Sequence, residues 1–181
     1  QARRTIARSF MGFGSPAASG NKTGFRSNSN RSGTTPAQDW RNFPGCLVAI
    51  IERLRGVVIE NRDALAVMSN HDAESALHYC DPPYVHDTRG NGNPYCKKGY
   101  KFEMKDDDHR AFAQHVKGLC GSVVVSGYAC PLYDDELFID WKRFERKALA
   151  DGARVRIEVL WVNQRACESL HQSKAQRELI A

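Results

Sequence analysis

The tetrapeptide Asp81-Pro82-Pro83-Tyr84 is the feature of this sequence that most constrains its fold. Proline holds φ at about −65° and has no backbone N–H, so two consecutive prolines cannot continue a strand inside a sheet. The apolar strand predicted at residues 76–80 must therefore end directly before Asp81. A carboxylate, two rigid residues and an aromatic ring then follow its carboxyl end. A turn that merely ends the strand is the alternative interpretation.

Apolar periodicity predicts alternating helices and strands along the rest of the chain. Pro44 suits the first turn of a helix that Gly56 ends, and Asp151-Gly152 is typical of a hairpin turn. The predicted helices lie at residues 3–11, 44–55, 64–68, 106–119 and 132–137, and the predicted strands at 57–59, 76–80, 123–125, 141–147 and 155–162. Residues 166–180 form a polar helix or a frayed tail. This order predicts an α/β fold whose sheet is mostly parallel, with an antiparallel C-terminal hairpin.

Three of the predicted strands end in polar clusters, at residues 60–63, 81–84 and 126–128. In sheets of this kind, ligands bind outside the carboxyl ends of the strands. We therefore expect the three clusters to converge on one site.

Positive charge is concentrated at the front of the chain. Residues 1–43 hold seven Lys and Arg residues against one acid, whereas the remainder holds 19 basic and 20 acidic residues. Residues 12–36 are rich in Gly, Ser and Asn, which is typical of a long loop or an adaptable binding segment. The charge indicates a polyanionic partner, most often nucleic acid, or equally a solvated tail.

Other classes of site are disfavoured. The six cysteines form no C-x-x-C pair and no histidine pair completes a zinc pattern, so we expect no metal. The longest apolar run, residues 47–51, is far shorter than the roughly 20 residues of a membrane span, so we expect no membrane partner. The cysteine usage suits a reducing, cytoplasmic setting.

The tetrapeptide suits chemistry on the exocyclic amine of a base. That amine is a poor nucleophile because its lone pair is delocalised into the ring. The Asp81 carboxylate and the Pro82 carbonyl can accept its two N–H bonds, localise the lone pair and stabilise the charge that develops on nitrogen. Tyr84 offers a face on which an extruded base can stack.

These residues resemble the Dam-type (D12 class) N6-adenine DNA methyltransferases, particularly phage and prophage members. The resemblance covers most of residues 38–163. Besides the tetrapeptide it is carried by Arg53-Leu54-Arg55-Gly56-Val57-Val58-Ile59-Glu60-Asn61, Thr88-Arg89, Tyr95, Asp108-His109, Ser126-Gly127-Tyr128, Leu132-Tyr133, Trp141 and Glu158-Val159-Leu160-Trp161. It implies a partial Rossmann-like class I methyltransferase sheet, S-adenosylmethionine as cofactor, double-stranded DNA as partner, a monomer when full length, and the cytoplasm of a bacterial or phage-infected cell.

The resemblance also assigns roles by position. Asp81, Pro82 and Tyr84 would form the adenine pocket with Pro83 as its rigid wall. Asp63 would bind the adenine amine of the cofactor, or else cap a helix. The remaining assigned residues would contact substrate or DNA: Ser126 and Tyr128 on the cleft floor, or at an ordinary strand end, and Arg26 and Arg31 on phosphates.

The resemblance divides the chain into three parts. Residues 1–43 would be the target-recognition segment, residues 44–165 the C-terminal part of the catalytic domain, and residues 166–181 a polar tail or helix. The glycine-rich turn that the family places after its first strand has no counterpart here, since Gly12-Phe13-Gly14 follows no apolar strand.

With the non-Met start, this predicts a fragment with a gap in its sheet, exposed apolar strand edges and poor affinity for cofactor. A non-catalytic DNA-binding remnant is therefore the alternative function. Asp rather than Asn in the tetrapeptide disfavours a methyltransferase acting on RNA or protein amines.

Overall fold

The computed structural model describes residues 2–11, 36–88, 102–150 and 154–178. The chain divides into two compact units, Gln1–Ile59 and Glu60–Ala181. Each unit is described by itself. Among the described residues, no helix combines the length and the apolar character needed to cross a membrane.

In its described residues, the first unit contains two helices, α1 (Ala2–Met11) and α2 (Pro36–Leu54). The sequence predicted that the second helix begins at Pro44, but Pro44 lies inside α2. Local side-chain contacts favour the earlier start: Gln38 Nε2 donates to Asn42 Oδ1 at 3.0 Å, one helical turn away. The predicted end is confirmed, because Gly56 follows the helix with a φ of +77°, which favours glycine.

The strand predicted at residues 57–59 is wrong. These residues form no regular element and pair with no strand among the described residues, and Ile59 is 89% exposed. A run of β-branched residues favours extended backbone, but a strand also requires a neighbour to complete its hydrogen bonds.

The second unit is a mixed α/β structure around a four-stranded sheet. In chain order it contains α3 (Ala64–Asn70), β1 (Leu77–Cys80), a 3₁₀ turn (His86–Thr88), α4 (Asp106–Lys117), β2 (Ser122–Tyr128), a π-helix (Leu132–Leu137), β3 (Lys142–Ala150), β4 (Arg154–Val162) and α5 (Gln164–Glu178). The strand order is β1-β2-β4-β3. Strand β1 pairs with β2 in parallel, and the other two pairings are antiparallel.

The predicted α/β class and the C-terminal hairpin are confirmed. The sheet is mixed rather than mostly parallel in the described residues, because the parallel strand expected at residues 57–59 does not form. The C-terminal segment, for which the sequence left a helix or a tail open, is the helix α5.

The core of the second unit is built on one face of the sheet. Val123 and Val125 of β2 lie in the same buried cluster as Phe112 and Val116 of α4. Trp161 of β4 is fully buried there. The predicted helix with its acidic first turn is confirmed, since the Asp108 carboxylate accepts the backbone N–H of Lys105 at 2.8 Å and closes the start of α4.

Polar side chains hold the amino ends of β1 and β2 together. The Asp72 carboxylate accepts the backbone N–H groups of Cys120 at 2.8 Å and of Gly121 at 3.0 Å. The Asn163 side chain accepts the N–H of Val123 and donates to the carbonyl of Gly121, both at 3.1 Å. Side chains therefore reinforce the backbone pairing at the amino end of β2.

Candidate active site at the carboxyl ends of β1 and β2

The parallel pairing of β1 with β2 brings two of the three polar clusters together. Cys80, the last residue of β1, pairs with Val125, so Asp81 emerges beside Ser126. The Ser126 hydroxyl oxygen lies 3.0 Å from Asp81 Oδ1 and 3.2 Å from the Cys80 carbonyl oxygen. Its single hydrogen can be shared between these two acceptors. Ser126 is only 8% exposed, so it is a fixed donor.

Asp81 itself is exposed and keeps an acceptor available. Its Oδ1 atom accepts from Ser126, while Oδ2 has no hydrogen-bond partner among the described residues. A carboxylate has two acceptor oxygens, so one can be held by the protein while the other faces a ligand. The arrangement can therefore accept an N–H bond from outside the protein without disturbing the bond that orients Asp81.

The aromatic residues of the two clusters also meet. The rings of Tyr84 and Tyr128 lie edge to face, with centroids 4.6 Å apart and planes 71° apart. Edge-to-face contact is a favoured geometry for aromatic pairs. The contact joins the end of the tetrapeptide to the last residue of β2, so the two segments form one half-buried surface beside Asp81.

The residue that anchors the tetrapeptide, Val85, was missed by the sequence analysis. Val85 is 8% exposed and belongs to the core cluster. Its carbonyl accepts the Thr88 hydroxyl at 2.7 Å and the Thr88 N–H at 3.0 Å, which closes the following 3₁₀ turn. Its position, the first apolar residue after a polar motif, is the signal that could have identified it.

A second omission is Asp134, which supports the floor of the site from below. Its Oδ1 atom accepts the Trp161 indole N–H at 3.0 Å and the Arg143 guanidinium at 2.8 Å. The Trp161 ring in turn packs beneath Gly127, where a Cβ atom would come within 3.2 Å of it. The segment that carries Ser126 and Tyr128 is therefore backed by a ring that is itself hydrogen-bonded in place.

Cys80, the residue before the tetrapeptide, carries a thiol that burial keeps protonated. Burial raises the pKa of Cys80 to about 11, so the thiol stays protonated near neutral pH. The thiol donates to the Met68 sulfur at 3.7 Å. Covalent catalysis by this cysteine is therefore disfavoured, and the chemistry of the site rests on oxygen acceptors.

The third polar cluster, residues 60–63, does not follow a strand and is engaged locally. Arg62 donates to both carboxylate oxygens of Glu60, at 3.0 and 2.8 Å, and holds the pKa of Glu60 below its usual range. Asp63 is the N-cap of α3, since its Oδ1 atom accepts the Ala66 N–H at 3.0 Å. The capping interpretation of Asp63 is thus realised, and its cofactor role stays a prediction.

Two predicted DNA contacts, Arg26 and Arg31, lie outside the described residues. In the part of the chain that the structure describes, no group of three His, Cys, Asp or Glu side chains could hold a metal ion.

Comparison with known proteins gives one family. The model of the D12 class N6 adenine-specific DNA methyltransferases matches residues 24–151, more than two thirds of the chain. The matched range contains the tetrapeptide together with Ser126 and Tyr128. No curated protein matches the sequence significantly.

Proposed function

The chain belongs to the D12 class N6 adenine-specific DNA methyltransferases, and on this premise we propose that residues 81–84 bind the adenine whose amine is methylated. The observation that carries the proposal is the asymmetric use of the Asp81 carboxylate. One oxygen is held by Ser126 and the other has no partner in the described structure.

The Asp81 carboxylate and the Pro82 carbonyl would act together on the adenine amine. Each accepts one N–H bond, which localises the nitrogen lone pair perpendicular to the base and stabilises the positive charge that grows during transfer. Pro82 and Pro83 donate no competing N–H, and their rings stiffen the backbone that aims the carbonyl. Tyr84, braced by Tyr128 at 4.6 Å, would stack on the extruded base.

The described residues fit adenine, which accepts the methyl group, better than they fit the cofactor, which donates it. Members of the family use S-adenosylmethionine, which is the expected cofactor. Yet β1 and β2 are followed by Asp81-Pro82 and Ala129-Cys130, and neither turn is glycine-rich. One carboxylate oxygen of Asp63 already accepts the hydrogen bond that caps α3. No glycine-rich cradle for the cofactor is formed within the described ranges.

That observation favours a second candidate, a DNA-binding protein of the same family without catalysis. Both candidates retain an adenine pocket and a basic segment, and they differ in whether a methyl group is transferred. The two are separated by incubating the chain with labelled S-adenosylmethionine and adenine-containing duplex DNA. The product is identified as N6-methyladenine by mass spectrometry of the digested duplex.

We expect Asp81→Ala to lower methyl transfer by about 10²–10³-fold, the usual loss when one group that stabilises developing charge is removed. The matched control is Asp135→Ala, which removes an exposed carboxylate of the π-helix outside the tetrapeptide and β2. Transfer that survives Asp81→Ala contradicts the pocket assignment. Salt-sensitive DNA binding with no transfer by the wild-type chain supports the non-catalytic candidate.

A further inference from the structure

Strand β3 presents a row of basic side chains at the outer edge of the sheet. Residues 142–147 read Lys-Arg-Phe-Glu-Arg-Lys, and β3 is the last strand in the sheet order. Lys142, Arg146 and Lys147 are exposed, and none forms an ion pair with a described residue. Arg143 differs, because it is committed to Asp134 and to Glu145.

The register places part of this row on the face of the candidate site. Tyr128 pairs with Glu158, and Glu158 pairs with Arg146, so the three residues form one line across three strands. Paired residues lie on the same face of a sheet, and alternate residues along a strand share a face. Lys142 and Arg146 therefore lie on the face of Ser126 and Tyr128.

The distance suits a nucleotide held in the pocket. Two inter-strand spacings of about 4.8 Å place the Arg146 backbone about 10 Å from that of Tyr128. An extruded base stays attached to its sugar and to the phosphates on either side, which must leave the pocket along a nearby surface. Arg146 lies within side-chain reach of such a path, and Lys142 extends the positive charge along the same strand.

We propose that Lys142 and Arg146 of β3 bind backbone phosphates of the DNA strand that carries the target adenine. The inference deepens the proposed function and rests on it. Phosphate neutralisation by Lys and Arg supplies affinity and register without reading sequence. Lys142 and Arg146 lie outside residues 1–43, in which the positive charge of the sequence is concentrated.

Edge protection is the competing explanation for these charges. Charged side chains on an edge strand hinder pairing with the edges of other chains. The two explanations differ when the sign of charge is reversed. Glutamate at both positions keeps the edge charged and protected but repels phosphate, whereas glutamine removes charge of either kind.

The experiment measures binding of the whole chain to adenine-containing duplex DNA as a function of salt. Each phosphate contact contributes about 0.9 to the slope of log K against log salt, so we expect Lys142→Gln with Arg146→Gln to reduce the slope by about 1.8. The control is Lys117→Gln with Lys147→Gln. It removes the same charge from α4 and from the opposite face of β3, and we expect less than half that change.

The reversal variant, Lys142→Glu with Arg146→Glu, should weaken binding further and keep the oligomeric state of the wild-type chain by light scattering. Equal slopes for the test and control pairs, or unchanged binding by the reversal variant, would overturn the proposal. Failure of the wild-type chain to bind DNA at all would instead count against the proposed function. Loss of affinity in the test pair, together with methyl transfer by the wild-type chain, supports both.

Discussion

The hydrogen bond from Ser126 to Asp81 can be tested by removing one atom. Ser126→Ala deletes the hydroxyl that lies 3.0 Å from Asp81 Oδ1 and leaves the carboxylate itself in place. The substitution lies at the carboxyl end of β2, whose backbone is held by pairing with both β1 and β4. It therefore addresses the orientation of Asp81 rather than its presence.

The magnitude follows from the exposure of the two partners. Hydrogen bonds to charged groups contribute about 1.5–3 kcal/mol, and water competes for the exposed Asp81, so the lower end applies. About 1.5 kcal/mol corresponds to roughly a tenfold effect on a rate. We expect kcat for methyl transfer to fall about tenfold in Ser126→Ala, with little change in KM for DNA, because the acceptor remains but is no longer aimed.

The assay is methyl transfer to duplex DNA measured together with thermal unfolding. Ser126→Thr retains a hydroxyl and suits a strand, so it should recover most of the activity that alanine loses. A purely structural role of Ser126 would lower the unfolding temperature of the alanine variant without changing kcat at permissive temperature. A kcat within twofold of wild type in the alanine variant refutes the positioning role.

Two further predictions concern the amino ends of β1 and β2. Gly121→Ala should lower the free energy of unfolding in urea by about 1–3 kcal/mol, because the added Cβ would lie 2.9 Å from the backbone oxygen of Ala76. The control is Gly118→Ala, whose added Cβ would lie 3.4 Å from the nearest backbone oxygen and should change the free energy of unfolding by less than about 0.5 kcal/mol. Equal effects of the two substitutions would contradict the prediction. The Cys120 N–H holds the pKa of Asp72 well below its usual range, so the charged form contributes stability above about pH 4 that is lost at lower pH. The unfolding temperature of wild type should therefore exceed that of Asp72→Asn at pH 7, with a difference that shrinks toward pH 3; a constant difference would contradict the assignment.

The meeting of residues 81–84 with residues 126–128 could be predicted because it depends on local rules. Two prolines fix where β1 ends, and an unbroken apolar run identifies β2 as a buried strand. Parallel pairing of the two strands then brings their carboxyl ends to one edge. That register places Asp81 beside Ser126, whereas the contact of Tyr84 with Tyr128 lies beyond the paired residues.

The wrong and missing predictions have different physical causes. Residues 57–59 have the composition of a strand, but strand formation depends on a neighbouring edge that no sequence window contains. Pro44 has the preference of a helix start, but it lies inside α2, where a proline leaves one intrahelical hydrogen bond unmade. The role of Asp134 could not be predicted either, because Asp134 lies in the π-helix and its partner Trp161 lies 27 residues away on β4.

Hydrogen bonds and packing hold the residues that the proposed chemistry needs as fixed acceptors. Electrostatic stabilisation of a developing charge is effective only when the stabilising groups are already in place, since reorienting them costs the energy they would supply. Ser126 meets that requirement for Asp81, and Trp161 meets it for the strand end that carries Ser126. The basic residues of β3 need no such support, because flexible side chains neutralise phosphates over a range of positions. Variants behind the pocket should therefore affect kcat, whereas variants on β3 should affect affinity for DNA.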